Sequence, residues 1–191
     1  GTLTAYFSRA GLKTITDFVY ESGEEDTEEE VPAVVVDGFA ALKEQAFGEY
    51  TVNLTNAVVT YVNGNNAYLE DATAGYLLYK SGHGLTAGQT ISGKVKVTTT
   101  EYSQTKQMSA FDTTEATVTE GAVIPTTVLT LSELLANAAK YESRRVTIEG
   151  ATMQDAFVSR KANIIVGADT IQLYQKDKNI VYEAAKGDIV T

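Results

Sequence analysis

Short runs of alternating apolar and polar residues recur along the chain and predict β-strands joined by turns. Val52 and Leu54 occupy the inward positions of one such strand. After Asn56 the phase changes, and Ala57 and Val59 occupy the apolar positions instead. Because Asn tolerates a positive φ, we expect a β-bulge at this point in the middle of a long strand.

The same order of signals occurs twice, with an offset of 93 residues between Pro32–Leu42 and Pro125–Leu135. Each copy continues as a short helix, a bulged strand, a hairpin and a further strand that follows a glycine. The matching positions are Asn56 and Gly150 at the bulge, Tyr79 and Tyr174 at the end of the hairpin, and Gly88 and Gly187 before the last strand.

The helix of each copy has a local start signal. In the second copy, Thr130 and Glu133 have the spacing of a capping box, in which each side chain accepts from the other residue's backbone amide. In the first copy, Asp37 is the predicted cap. The apolar positions that follow are spaced for one helical face in both copies.

A long bulged strand, a hairpin, a glycine-bounded connector and a closing hairpin are typical of a five-stranded OB-type barrel. We therefore predict an all-β chain with short helices, folded as two tandem OB-type barrels. The first would comprise residues 32–122 and the second residues 123–191. These two ranges are called the first repeat and the second repeat below.

The second repeat reaches Thr191 before the hairpin that corresponds to Gly93–Asp112. Residues 1–20 match that hairpin, so we expect them to close the second barrel. The closure would be in cis, or in another copy of the chain by strand exchange, which would make a homodimer. Alternatively, the hairpin would be the remnant of a preceding unit in a longer array. The matching residues at the same offset are Lys13, Ile15 and Phe18 with Lys106, Met108 and Phe111.

The chain is acidic, with 15 Lys and Arg against 25 Asp and Glu and a net charge of −10. Much of the excess lies in the run from Glu21 to Glu30, which predicts a solvated linker over residues 21–31. The second repeat has balanced charge.

Three stretches carry a resemblance to a known group: Val58–Asp71, Gly75–Tyr79 and Gly88–Gly93. They resemble the tandem OB-like repeat domains of uncharacterised bacterial secreted or lipid-anchored proteins, and the likeness covers about residues 31–191. It implies a location in the periplasm or at the cell surface and a binding or scaffold role, and it transfers no catalytic residues. The second repeat departs from the pattern at Ile165–Asp169 and in its closing hairpin.

Composition excludes several kinds of chemistry. The chain has no Cys and one His, which excludes disulfides, thiol catalysis, Cys-ligated metals and multi-His sites. Glu70 and Asp71 are neighbours in a strand and point to opposite faces, so we interpret Asp71 as a turn residue. His83 lies between two glycines and is interpreted as an exposed loop residue. We predict no enzyme activity, no cofactor and no metal, and no apolar run is long enough to span a membrane.

The candidate ligand-binding residues are tyrosines on the first three strands of the first repeat, together with basic residues and one tyrosine of the second. Tyrosines on these strands could stack on bases or sugar rings, or they could pack in the barrel. The basic residues could contact phosphates, or they could be solvated surface. The candidates are Tyr61, Tyr68, Tyr76, Tyr79, Tyr174, Arg160, Lys161 and Lys176.

Together these observations favour a non-enzymatic extracytoplasmic binding or scaffold module whose ligand is a protein or a glycan. The alternative is single-stranded nucleic-acid binding by the OB-type barrels. The balanced charge of the second repeat weighs against that alternative, because no net positive field attracts a polyanion.

Overall fold

A computed structural model describes residues 34–180 and 182–191. The hairpin predicted for residues 1–20 and the linker predicted for residues 21–31 lie outside the described residues. In the described part, thirteen strands and three short helices account for the regular structure. The predicted mainly β class with short helices is confirmed.

The first repeat forms one sheet in the order β1-β2-β3-β4-β6-β5-β7, in which β2 also pairs with β5. The β1–β2 and β4–β6 pairings are parallel, and the others are antiparallel. Its elements are β1 (Val35–Asp37), α1 (Gly38–Lys43), β2 (Glu49–Asn63), β3 (Asn66–Glu70), β4 (Gly75–Tyr79), β5 (Thr90–Tyr102), β6 (Thr105–Asp112) and β7 (Ala116–Thr119).

The predicted bulge in β2 is confirmed. Asn56 has a φ of 50°, and the β2–β5 register shifts between Leu54 and Ala57. The Asn56 amide donates to the Ser92 hydroxyl at 2.9 Å, and that hydroxyl donates back to the Asn56 side chain. The Ser92 hydroxyl therefore provides an acceptor for the Asn56 backbone amide, which the bulge removes from the strand pairing.

The cap of α1 differs from the prediction. Asp37 occupies the N-cap position, but its side chain makes no capping hydrogen bond. The Phe39 amide instead donates to Asp71 at 2.8 Å, and the Ala40 amide donates to Thr73 at 3.0 Å. The β3–β4 turn thus supplies the acceptors that a helix start requires.

The second repeat contains an antiparallel sheet in the order β12-β11-β10-β13 and a separate parallel pair, β8–β9. Thr130 and Glu133 form the predicted capping box at the start of α2. The elements are β8 (Thr127–Leu129), α2 (Leu131–Ala136), α3 (Ala138–Tyr141), β9 (Val146–Ile148), β10 (Ala151–Met153), β11 (Lys161–Val166), β12 (Asp169–Tyr174) and β13 (Ile189–Val190).

Strand pairing in the second repeat follows that of the first. Strand β8 pairs in parallel with β9, as β1 does with β2. Gly150, with a φ of 67°, separates β9 from β10 at the position of Asn56. Directly after it, Ala151 pairs with Val190, as Ala57 pairs with Ile91.

The predicted second barrel is not closed within residues 123–180 and 182–191. Strand β9 pairs with β8, whereas the corresponding arm of β2 pairs with both β1 and β5. The segment that was predicted to fill the other edge lies outside the described residues. The cores differ accordingly: the first is built on large side chains such as Phe39, Leu78 and Met108, and the second on Met153 and Ile164.

Candidate functional site

A row of side chains crosses four strands on the outer face of the first sheet. Tyr61 of β2 pairs with Tyr68 of β3, Tyr68 pairs with Leu77 of β4, and Leu77 pairs with Gln107 of β6. Residues directly opposite each other in a sheet share one face, so these four side chains lie side by side. The Tyr61 and Tyr68 ring centres are 6.1 Å apart.

A second row of side chains lies on the same face, two residues away from the first row along each strand. Asn66 of β3 pairs with Asn63 of β2 on one side and with Tyr79 of β4 on the other. The exposed fraction is 49% for Tyr79 and 38% for Tyr61, so both rings keep a face open to solvent. The outer face of this sheet is therefore aromatic and amide-rich.

The second repeat contacts this face through Lys176, which follows β12. Its ammonium group donates to the Tyr68 hydroxyl at 2.7 Å and to the Asn66 side-chain oxygen at 2.9 Å. It lies 5.1 Å from the centre of the Tyr68 ring. In the same way, Arg160 lies 5.0 Å from the centre of the Tyr174 ring.

A cleft extends to both sides of Tyr68 and Lys176. One part has a volume of about 540 Å³ and is walled by Tyr79, Tyr102 and Gln107. The other has a volume of about 820 Å³ and is walled by Tyr61, Arg145 and Tyr174. Tyr68, Ser143 and Lys176 line both parts, so we treat them as one two-part cleft.

The back of the cleft is fixed by a buried ion pair. The Arg144 guanidinium lies 3.5 Å from the Glu70 carboxylate, and their side chains are 12% and 6% exposed. Arg144 also donates to the Asp71 carbonyl, and the Arg145 amide donates to Glu70. Such a pair is costly to disrupt, because removal of one partner leaves a buried charge uncompensated.

Close backbone contact adds to this attachment. A Cβ atom on Gly75 would lie 2.4 Å from the Ser143 carbonyl oxygen, so only glycine fits at this point of β4. Nearby, Lys43 forms an ion pair with Glu142 at 3.3 Å. The segment 142–145 is therefore held against the first sheet on both sides of Gly75.

Comparison with protein families, curated proteins and solved structures finds no match for this chain. Among the described residues, no helix has the length and apolar character needed to cross a membrane.

The cleft collects five of the eight predicted site residues: Tyr61, Tyr68, Tyr79, Tyr174 and Lys176. Arg160 reaches the cleft only through its contact with Tyr174. Lys161 is exposed at the start of β11 and is not among the residues that line either part.

Tyr76, a candidate ligand-binding residue, does not line the cleft. Its side chain is 1% exposed and packs in the core, which is the alternative that the sequence left open. Its ring lies 5.8 Å from that of Phe39. Burial, with smaller contributions from Glu142 and Tyr50, raises the pKa of Tyr76 to about 12. Alternation along β4 places Tyr76 inward and Leu77 outward, so Tyr76 cannot contribute to the outer face.

Several lining residues were not predicted as site residues: Asn66, Tyr102, Gln107 and Ser143. Asn66 is in phase with Tyr68 on the same strand, so the alternation that placed the tyrosine also indicates the amide. Ser143 comes from a turn that carries no comparable pattern.

The groups considered for acid–base chemistry have structural partners. Asp71 accepts the Thr73 and Ala74 amides at 2.7 and 2.8 Å, which confirms its role in the turn. His83 is half-buried rather than exposed, and its Nδ1 accepts the Leu85 amide at 3.0 Å. The described residues contain no cluster of three or more His, Asp or Glu side chains that could hold a metal.

Proposed function

We propose that this chain is a non-enzymatic binding module that acts outside the cytoplasm and holds its ligand in the two-part cleft. The observation that carries the proposal is the set of tyrosines on the outer face of the first sheet, which lines the two-part cleft together with Lys176 and Tyr174 of the second repeat. Clefts that combine aromatic side chains with a few placed polar groups are characteristic of binding sites.

The proposed architecture is two OB-type units in tandem. The first is supported by its pairing order, which runs β2–β3–β4–β6–β5 and has a further β5–β2 pairing. An OB barrel uses one long bent strand in the same double role. The second is supported by the repeated β8–β9 pairing and by the glycine at the bulge position.

A binding role fits the chemistry of the cleft better than catalysis does. Glu70 is engaged with Arg144, and the Asp71 carboxylate accepts amides from the turn and from α1. The tyrosines, in contrast, keep exposed ring faces. The extracytoplasmic location, in the periplasm or at the cell surface, rests on the resemblance to secreted OB-like repeat domains.

Single-stranded nucleic-acid binding is the second candidate, because Tyr61, Tyr174 and Arg145 line one part of the cleft together. Base stacking on an aromatic side chain contributes roughly 1–3 kcal/mol per base. The net charge of −10 opposes it, since an acidic chain repels a polyanion at long range. A deoxythymidine decamer tested at about 50 mM salt distinguishes the two, because electrostatic binding is strongest at low salt.

The proposal is tested by NMR amide titrations of the full chain with three classes of probe: neutral hexasaccharides, a deoxythymidine decamer and peptides selected from a displayed library. We expect one class to shift the amides around Tyr61 and Tyr79 in a saturable manner. Tyr61→Ala should weaken that binding roughly tenfold. Tyr182→Ala is the matched control, because Tyr182 is 51% exposed and is not among the lining residues.

Saturable shifts confined to residues outside the cleft, or no saturable shift with any of the three classes, would overturn the proposal. Equal weakening by Tyr61→Ala and Tyr182→Ala would also count against it, because it would place binding elsewhere.

A further inference from the structure

The lining of the cleft combines open aromatic faces with amides and hydroxyls. Tyr102, 71% exposed, and Tyr79 form the aromatic wall of one part, and the half-buried Asn66 and Gln107 line the same part. Amide side chains offer both donors and acceptors at one position. This combination suits a ligand that has flat apolar faces and many neutral hydroxyl groups.

Three of the cations near the cleft have intramolecular partners, whereas the exposed side chain of Arg145, which lines the larger part, has none among the described residues. Lys176 donates to the Tyr68 hydroxyl and to Asn66, and Arg144 is paired with Glu70. Arg160 lies over the Tyr174 ring. A polyanion would have to draw these cations away from their present partners, and the acidic chain supplies no attractive field in return. The acidic character of the whole chain and the pairing of these three cations therefore favour a neutral ligand over a phosphate backbone.

Few aliphatic side chains line the cleft. Protein interfaces are stabilised by large side chains that bury in well-packed, desolvated pockets. Leu77, the aliphatic member of the row from Tyr61 to Gln107, is buried at 6% exposure. Apart from the half-buried Ile124 and the exposed Ala87, what remains open is aromatic or polar, and it extends across several strands.

The dimensions fit an extended ligand. Neighbouring strands are about 4.8 Å apart, so the row from Tyr61 on β2 to Gln107 on β6 spans roughly 14 Å. The two parts, of about 540 and 820 Å³, meet at Tyr68 and Lys176. A chain of several small rings would lie across both parts and pass the Lys176 ammonium at the centre.

We infer that the ligand of this cleft is a neutral oligosaccharide whose sugar rings pack on the tyrosines and whose hydroxyls bond to Gln107 and to the remaining amide hydrogen of Asn66. This inference rests on the proposed function, since it names the ligand class of the same site. The apolar C–H face of a pyranose ring packs on an aromatic ring, and its hydroxyls both donate and accept hydrogen bonds.

The test is calorimetric and NMR titration of the full chain with neutral hexasaccharides of glucose, mannose and xylose. The charged probes are an oligogalacturonate of similar length and a deoxythymidine decamer. We expect saturable binding of at least one neutral hexasaccharide, with less than roughly twofold change in affinity between about 50 and 500 mM salt. The decamer and the oligogalacturonate should bind at least tenfold more weakly.

Two variants locate the contact. Tyr61→Ala removes an open aromatic face, and Gln107→Ala removes the amide at the other end of the row. Each should weaken hexasaccharide binding roughly five- to tenfold. Tyr182→Ala should leave it unchanged. Far-UV circular dichroism melts show whether each variant is folded, and either folded variant is sufficient for the comparison.

The outcomes separate this inference from the proposed function. Absence of saturable binding by every neutral hexasaccharide overturns the neutral-glycan inference, as does binding that falls steeply with salt. If the decamer or a selected peptide then occupies the cleft and is sensitive to Tyr61→Ala, the binding module stands and only its ligand class is wrong.

Discussion

Gly75 is the point at which the second repeat comes closest to the first sheet. An added Cβ would meet the Ser143 carbonyl oxygen at 2.4 Å, the Ser143 carbonyl carbon at 2.5 Å and the Arg144 amide nitrogen at 2.8 Å. All three atoms belong to the backbone, so no side-chain rotation can relieve the contact. Gly75→Ala must therefore move the segment 142–145 away from β4.

The cost of this movement can be estimated from what it disturbs. Forcing an extra methyl group into a packed site typically costs about 1–3 kcal/mol. Here the displaced segment also carries Arg144, whose buried pairing with Glu70 would lengthen. We expect a loss of about 3 kcal/mol in the free energy of unfolding. For a chain of this size, that lowers the melting temperature by roughly 6–12 °C.

The assay is urea unfolding followed by far-UV circular dichroism and by tyrosine fluorescence, because the chain has 11 Tyr and no Trp. Gly48→Ala is the matched control: its Cβ would lie 3.8 Å from the Tyr50 ring, which is ordinary van der Waals contact. The control should change the free energy of unfolding by less than about 0.5 kcal/mol. Equal stability of the Gly75 and Gly48 variants would refute the close approach on which the cleft depends.

Three further predictions concern charged groups. Asp71→Ala removes a carboxylate that accepts amides from both the turn and the start of α1. It should lower the free energy of unfolding in urea by about 2–3 kcal/mol. A decrease no larger than that of the Gly48→Ala control would contradict this role. Glu70→Gln leaves Arg144 uncompensated and should cost about 3 kcal/mol, whereas a double variant that also carries Arg144→Met should recover part of it. Hydrogen bonds from Asn163 lower the pKa of Asp155, so the stability it contributes is present above its unfolded pKa and is lost as pH falls through the folded pKa. Asp155→Asn should therefore be less stable than the parent at pH 7, with the difference vanishing in strong acid; a difference that persists there would show that charge is not its cause.

Local signals in the sequence predicted local structure correctly. The bulge at Asn56 and the capping box at Thr130 are set by residues within a few positions of each other. The two residues of the box satisfy each other's backbone amides, so no distant partner is needed. The turn role of Asp71 was predictable for the same reason, because the Asp71 carboxylate accepts the backbone amides two and three residues later.

Non-local contacts were not predictable in this way. Asp37 was correctly predicted as the N-cap position of α1. The side chain that accepts the Phe39 amide, however, belongs to Asp71, which lies 32 residues later in the chain. The contact of Lys176 with Tyr68 joins residues 108 positions apart. No spacing rule links such residues, because the fold of both repeats must exist before they meet.

Strand β4 shows a second reason why sequence alone does not identify the site residues, because its alternation of side chains does not distinguish the inward from the outward face. Tyr76 and Leu78 face the core, and Leu77 and Tyr79 face outward. Both faces carry one tyrosine and one leucine, so alternation cannot identify the inner one. The reason is physical: the second repeat packs against the outer face of β4 at Gly75, two residues before Leu77, and a strand that is covered on both sides loses its polar face.

The packing of segment 142–145 against the first sheet affects both the stability of the fold and the shape of the cleft. Ser143 lines both parts of the cleft, and its backbone is also the group against which Gly75 packs. The position of this wall is therefore set by the buried attachment of segment 142–145 rather than by the ligand. A wall fixed before binding spares the ligand the entropic cost of ordering it. It follows that Gly75→Ala, although it changes no lining side chain, should weaken ligand binding as well as stability, whereas Gly48→Ala should change neither.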